Sequence, residues 1–177
     1  GVQTHDIQEI ARALCKSHGG VTLLSDVGRL SRTTVPNVRV GLGEEFVIIE
    51  DVLCSQNEQI EDCKLAVLAL LQAYHTTYPL RVMATQSVTN GSGFAPALVQ
   101  HVQQRLAETG QIRVVGNNLA MIGHNPMTSL SREQLARLRD LENSVRVAGL
   151  IAQTPDSFLQ GQLDNDLLAI LTDTGRL

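Results

Sequence analysis

The sequence predicts a mostly helical α+β protein made of tandem winged-helix domains, each a helix-turn-helix followed by a β-hairpin. Three observations predict it. Apolar residues recur at helical spacing in separated stretches. The stretches end at glycine or proline, the residues that stop helices. Short runs rich in β-formers, "EEFVIIED" and "IRVV…LAMI", follow helical segments.

The N-terminal stretch "DIQEIARALCKSHGG" places Ile7, Ile10, Ala11 and Leu14 on one helical face. Asp6 and Glu9 have capping-box spacing, and Gly19-Gly20 is a stop. "TLLSDVGRL" reads as a short second helix. "TTVPNVRVGLG" reads as a third, with Pro36 near its start. "EEFVIIED" reads as a strand.

The order then recurs. "EDCKLAVLALLQAYHTTYPLR" carries Ile60, Cys63, Val67, Leu71 and Tyr74 on one stripe, and Pro79 closes the helix. "ATQSVTNGSGF" is a looped or weakly helical segment in the place of the second helix. Leu98, Val99, Val102 and Leu106 define the next helix, and Gly110 caps it. "IRVV" and "LAMI" flank "GNN", whose residues tolerate positive φ, so a tight hairpin follows.

A third pass begins at "SREQLARLRDLENSVRVAG". Ser131 and Gln134 have capping-box spacing, Leu138, Leu141 and Val145 supply the stripe, and Gly149 stops it. "TPDSFLQGQL" is a short helix or turn, and "DNDLLAILTDTGRL" repeats the apolar helix that ends in Thr-Gly. The units expected are 1–57, 58–124 and 125–177, the last with its hairpin truncated. "MIGHNPMTSLS" is the expected hinge.

Composition bounds the function. The hydrophobic share of 43% supports a core, but aromatics are only 3% and there is no Trp, so the core is aliphatic. That scarcity weighs against stacking platforms for single-stranded bases. The net charge of -4 excludes a chain wholly devoted to gripping phosphate. The three cysteines include no CxxC and are expected to be reduced, with Cys15 and Cys63 buried. No run approaches the roughly 18 apolar residues of a membrane span, and no signal peptide is apparent. Gly1 in place of Met suggests a cut fragment.

The middle stretch, "AYHTTYPLR" and then "FAPALVQHVQQRLAETGQIRVVGNNLAMIGHNPMTSLSREQ", resembles the C-terminal extension of bacterial selenocysteine-specific elongation factors. The elements that carry the resemblance are His75, Pro79, Leu80 and Arg81, then Gly110, the hairpin, and the Ser131 to Gln134 box. Resemblance is best over about residues 60 to 150. Members of that family are translation GTPases that deliver selenocysteyl-tRNA to the ribosome. Their extension is a row of winged helices, the last of which bind an mRNA hairpin marking a UGA codon for recoding.

The resemblance implies that this chain is about the first three winged helices. It would be a rigid arm between the GTPase part and the hairpin-binding end. GTP and Mg would belong to the missing N-terminal part, with no cofactor here; the sequence has no GxxxxGK[ST] loop. Partners reached through the full-length protein would be the mRNA recoding hairpin, selenocysteyl-tRNA and the ribosome. The chain itself would be monomeric, cytoplasmic and free of membrane.

Catalysis finds no support in the residues. The five histidines are scattered, with no HExxH and no cysteine at metal spacing. Residues 58–124 are the least acidic third, with 4 basic and 4 acidic residues, against 5 and 7 in each flanking unit. Arg81, Arg105 and Arg113 are the candidate nucleic-acid contacts. Arg105 falls on the candidate recognition helix, whose "QHVQQR" offers glutamines to base edges, and Arg113 on the hairpin. His75 is expected to hydrogen-bond the turn before Pro79. A winged-helix DNA-binding regulator and a protein-interaction scaffold stay open as alternatives.

Overall fold

The computed structural model describes residues 3–150 and 159–177. It begins with α1 (Thr4–Ser17), β1 (Thr22–Leu23), α2 (Leu24–Ser31), α3 (Val35–Leu42), β2 (Phe46–Ile49) and β3 (Leu53–Gln56). The order repeats as α4 (Asn57–Thr77), β4 (Ala84–Thr85), a 3-10 segment (Gln86–Ser92), α5 (Pro96–Glu108), β5 (Ile112–Val115) and β6 (Asn118–Met121). A 3-10 turn (Pro126–Ser129), α6 (Arg132–Leu150) and α7 (Gly161–Asp173) complete the described chain. The two sheets share one topology, β1-β3-β2 and β4-β6-β5, all antiparallel. Three helical segments and a small sheet closed by a hairpin, twice over, are tandem winged helices. No described helix is long and apolar enough to cross a membrane.

In the first winged helix, α1 buries Ile7, Ala11 and Cys15, one turn apart, against Leu24, Val27, Val38, Leu42 and Phe46. The expected Asp6 to Glu9 box does not form. The helix starts earlier, with Gln3 at its N-cap and no side-chain cap bond. Asp6 therefore sits inside the first turn, where its charge favours the helix dipole. Pro36 sits in the first turn of α3, as its fixed φ allows. The strand expected at "EEFVIIED" is half of a hairpin: β2 turns into β3 through Glu50 and Asp51, at φ 49° and 62°.

In the second winged helix, α4 buries Ile60, Cys63, Val67, Leu71 and His75, and Leu98, Val102 and Leu106 of α5 pack into the same cluster. Gly116, at φ 57°, opens the two-residue loop between β5 and β6, the geometry a tight hairpin needs. The polar segment between β4 and α5 is a 3-10 helix that buries only Thr89. All three cysteines are free and buried, and burial pushes the Cys63 thiol up to about 11.

No linker separates the two winged helices; β3 ends at Gln56 and α4 begins at Asn57. Val21 and Ile49 of the first lie in the hydrophobic cluster of the second. Each contributes about 2 kcal/mol of burial. The backbone N–H of Ala95, the N-cap of α5, donates to the carbonyl of Gly19 at 2.8 Å, and the buried Ser55 hydroxyl donates to the carbonyl of Gly20 at 2.6 Å. Gly19 is at φ 71°, and a Cβ there would lie 2.8 Å from the Ala95 nitrogen. The double glycine is thus a stop and also a close-approach site.

The α6–α7 pair has its own small cluster of Leu138, Leu141, Leu167, Ile170 and Leu171. The Ser131 box forms as expected: the Gln134 N–H donates to the Ser131 hydroxyl at 3.1 Å, and the Ser131 N–H donates to the Gln134 side chain at 2.8 Å. Asp164, almost fully buried, is clamped by Arg137 through two bonds of 2.9 and 2.7 Å. That guanidinium holds its carboxyl below the usual range. Of the segment expected as a short helix or turn at 154–163, residues 154–158 lie outside the described residues; α7 begins at Gly161.

Substituting Gly19 tests the contact between the winged helices. Gly19→Ala meets both a left-handed backbone and a backbone atom that cannot yield, so it should cost well over 2 kcal/mol. Gly116→Ala is the control. Its φ is also positive, but nothing lies within 4 Å of the added Cβ, so only the conformational cost of about 1 kcal/mol applies. Urea denaturation of both variants measures the gap; equal losses would contradict the packing role.

Candidate nucleic-acid interface

The helix expected to read bases, α5, buries Leu98, Val99, Val102 and Leu106 toward the core. Its first turn is covered, because Gly19 bonds Ala95 and Gly20 packs on Phe94 and Leu98. Of the glutamines in "QHVQQR", Gln103 turns inward: it is 5% exposed and donates to the Thr89 hydroxyl at 3.2 Å. Gln100 and Gln104 remain outside. Arg105 is exposed and pairs along its own helix with Glu108 at 3.4 Å.

The structure brings Arg81 and Arg113 to a different place. Both face α7, with Arg113 on Asp173 at 2.7 Å and Arg81 3.9 Å from Asp166. Arg105 is not part of that group. Two of the three candidate arginines therefore line the contact between the second winged helix and the α6–α7 pair. From the second winged helix, Val82 packs on the apolar cluster of α6 and α7. Cavities of about 270 and 710 Å³ flank it, the first lined by Arg113, His124 and Asp173, the second by Tyr74, Arg81 and Asp166.

Arg81 is held from beneath. Its guanidinium lies 4.6 Å over the Tyr78 ring, and it donates to the Tyr74 hydroxyl at 3.3 Å. Tyr74 and Tyr78 are one helical turn apart and their rings meet at 5.0 Å. The chain contains no other tyrosine.

His75 departs from the sequence reading. It does not bond the turn before Pro79; its Nε2 accepts the Met121 N–H at 3.2 Å, joining α4 to β6. The end of the Tyr78–Arg81 turn, which contains Pro79, is held instead by His124, whose Nε2–H donates to the Arg81 carbonyl at 2.7 Å. The two imidazoles stack at 3.7 Å. His75 is 4% exposed and its Nδ1 has no hydrogen-bond partner among the described residues. Burial, and then the neighbouring His124, push its pKa down to about 4. A neutral ring suits this site, since Nε2 must stay unprotonated to accept the Met121 N–H.

His124, Tyr78, Asp166 and Asp173 were not singled out from sequence. The Tyr74-Tyr78 spacing before Arg81 was a usable signal, because residues four apart share a helix face. The aspartates gave none, since only the tertiary packing of α7 brings them to the arginines.

No family model matches the chain, and no curated protein matches it. Among solved structures it is similar to the mRNA-binding domain of elongation factor SelB from E. coli in complex with SECIS RNA. The TM-score is 0.45 and the identity 13%, over 66% of this chain and 96% of that one.

Acid should loosen the link from α4 to β6. His75 binds its proton less readily folded than unfolded, where its pKa is near 6.5. Its contribution is complete above pH 6.5 and falls as the pH drops toward 4, by on the order of 3 kcal/mol. His75→Gln keeps an acceptor but does not titrate. Urea melts from pH 7 to pH 4 should show a shallower fall for the variant; parallel curves would contradict the assignment.

Proposed function

We propose that this chain is the winged-helix arm of a selenocysteine-specific translation elongation factor. Its division would be 1–57, 58–124 and 125–177, with the last unit also a winged helix. The arm would link a GTPase and tRNA-delivery part, which holds GTP and Mg, to an end that grips the mRNA recoding hairpin. Selenocysteyl-tRNA and the ribosome would be partners of the whole protein. The fragment would act in the cytoplasm as a monomer without catalysis or cofactor of its own.

The observation that supports this most is the direct packing of one winged helix on the next. Val21 and Ile49 sit in the neighbouring core, and Gly19 bonds the start of α5. A row joined in this way has few accessible angles, which is what a spacer of fixed reach requires. The motif around His75, Pro79, Leu80 and Arg81, with the formed Ser131 box, supports the family reading. A DNA-binding regulator is favoured less: the start of α5 is covered, and the chain is acidic.

The test uses the full-length protein. A flexible Gly-Ser insert between Gln56 and Asn57 should lower UGA recoding in a selenoprotein reporter severalfold, because it dilutes the tethered end. GTP hydrolysis and affinity for the isolated hairpin should be unchanged. Full recoding with the insert would refute the stiff-arm function.

A further inference from the structure

Aromatics are scarce in this chain, yet its only two tyrosines stand beside one arginine at the mouth of a cleft. Tyr78 is 44% exposed. It lines a cavity of about 420 Å³ with Pro79, Arg81, Gln134, Gln162 and Asp166, between the end of α4 and the two C-terminal helices. The larger cavity on the other side shares Arg81, Gln162 and Asp166. Arg81, Gln162 and Asp166 thus form the wall common to both.

Its hydrogen bonding is incomplete. Arg113 and Arg137 hold their aspartates at 2.7 Å, but Arg81 stays 3.9 Å from Asp166, beyond hydrogen-bond reach. Its one bond, to Tyr74, uses Nη1 and is long at 3.3 Å. Nε–H and the Nη2 donors have no hydrogen-bond partner among the described residues. Tyr78 supports one face of the guanidinium. Asp166 is already engaged, accepting from the Gln162 amide at 2.8 Å.

We propose that this cleft binds one nucleotide of single-stranded RNA. The base stacks on the guanidinium face of Arg81 opposite Tyr78, extending the tyrosine–arginine pair. The Nη2 donors, away from the Nε edge that faces Asp166, take the adjacent phosphate at the rim. The base edge points inward, where Asp166 accepts from an exocyclic amino group and the Gln134 and Gln162 amides complete the contact. Asp166 repels a phosphate placed deeper, which fixes the direction of entry. The choice of RNA rests on the translational reading above; the stacking site itself does not.

The chain carries its own probe. With no Trp and two tyrosines, both in contact with Arg81, its tyrosine emission reports on the surroundings of that side chain. Titrating the purified chain at low salt with short oligoadenylate should quench tyrosine emission saturably. The same oligonucleotide paired in a duplex, with its bases already stacked, should quench far less. Arg81→Ala should weaken binding at least about tenfold, in line with the loss of one stacked base. Arg81→Lys should not restore it, since an ammonium offers neither a plane nor a fork, and Tyr78→Ala, which removes the ring beneath the guanidinium, should weaken binding in an anisotropy assay. Circular dichroism confirms the fold of each variant. Unchanged emission with oligoadenylate, or affinity indifferent to Arg81→Ala, would overturn the proposal. Neither result would alter the linker-insertion outcome, so site and arm fail separately.

Discussion

The meeting of Gly19 with the first turn of α5 is the constraint on which the rest depends. A backbone bond of 2.8 Å between Gly19 and Ala95 is possible only because no Cβ intervenes. That approach carries Val21 and Ile49 into the core built on α4 and α5. The second winged helix therefore completes its interior with side chains from the first. It also covers the end of α5 that a solitary winged helix would offer to a groove. One contact thus stiffens the row and covers the start of α5.

The two junctions differ in kind. Between the winged helices the contact is apolar and glycine-tight. Between the second winged helix and the C-terminal helices it is carried by charged pairs and Val82, and flanked by open cavities. Charged contacts with water nearby are weaker and more exchangeable than buried aliphatic ones. The second junction is therefore where a ligand can enter, and it holds Arg81, whose Nε–H and Nη2 donors have no hydrogen-bond partner among the described residues. The stacked His75 and His124 secure the turn before Arg81 and fix where that side chain starts.

Much of the fold was legible because it is local. Helical stripes, the glycine stop of α5, Pro36 and the Ser131 box are short-range signals, and each corresponds to a feature of the structure. The errors have physical causes. The Asp6 box failed because α1 extends past it. The β3 strand was missed because its turn uses Glu50 and Asp51 at positive φ, where Asn-Gly is the usual mark. Gln103 reads as a base contact by composition, but helical phase turns it to Thr89. The candidate site was legible only in part: Arg81 and the tyrosines share one stretch, whereas Asp166 and Asp173 lie far along the chain.

The central claim is that the first and second winged helices form one rigid body. Spin labels on cysteines introduced at the exposed Lys16 of α1 and Gln104 of α5 test it, since the native thiols are buried. Pulsed electron-spin distance measurement should give a single narrow distribution that does not change with salt. A broad distribution, or one that widens as salt is raised, would contradict the account.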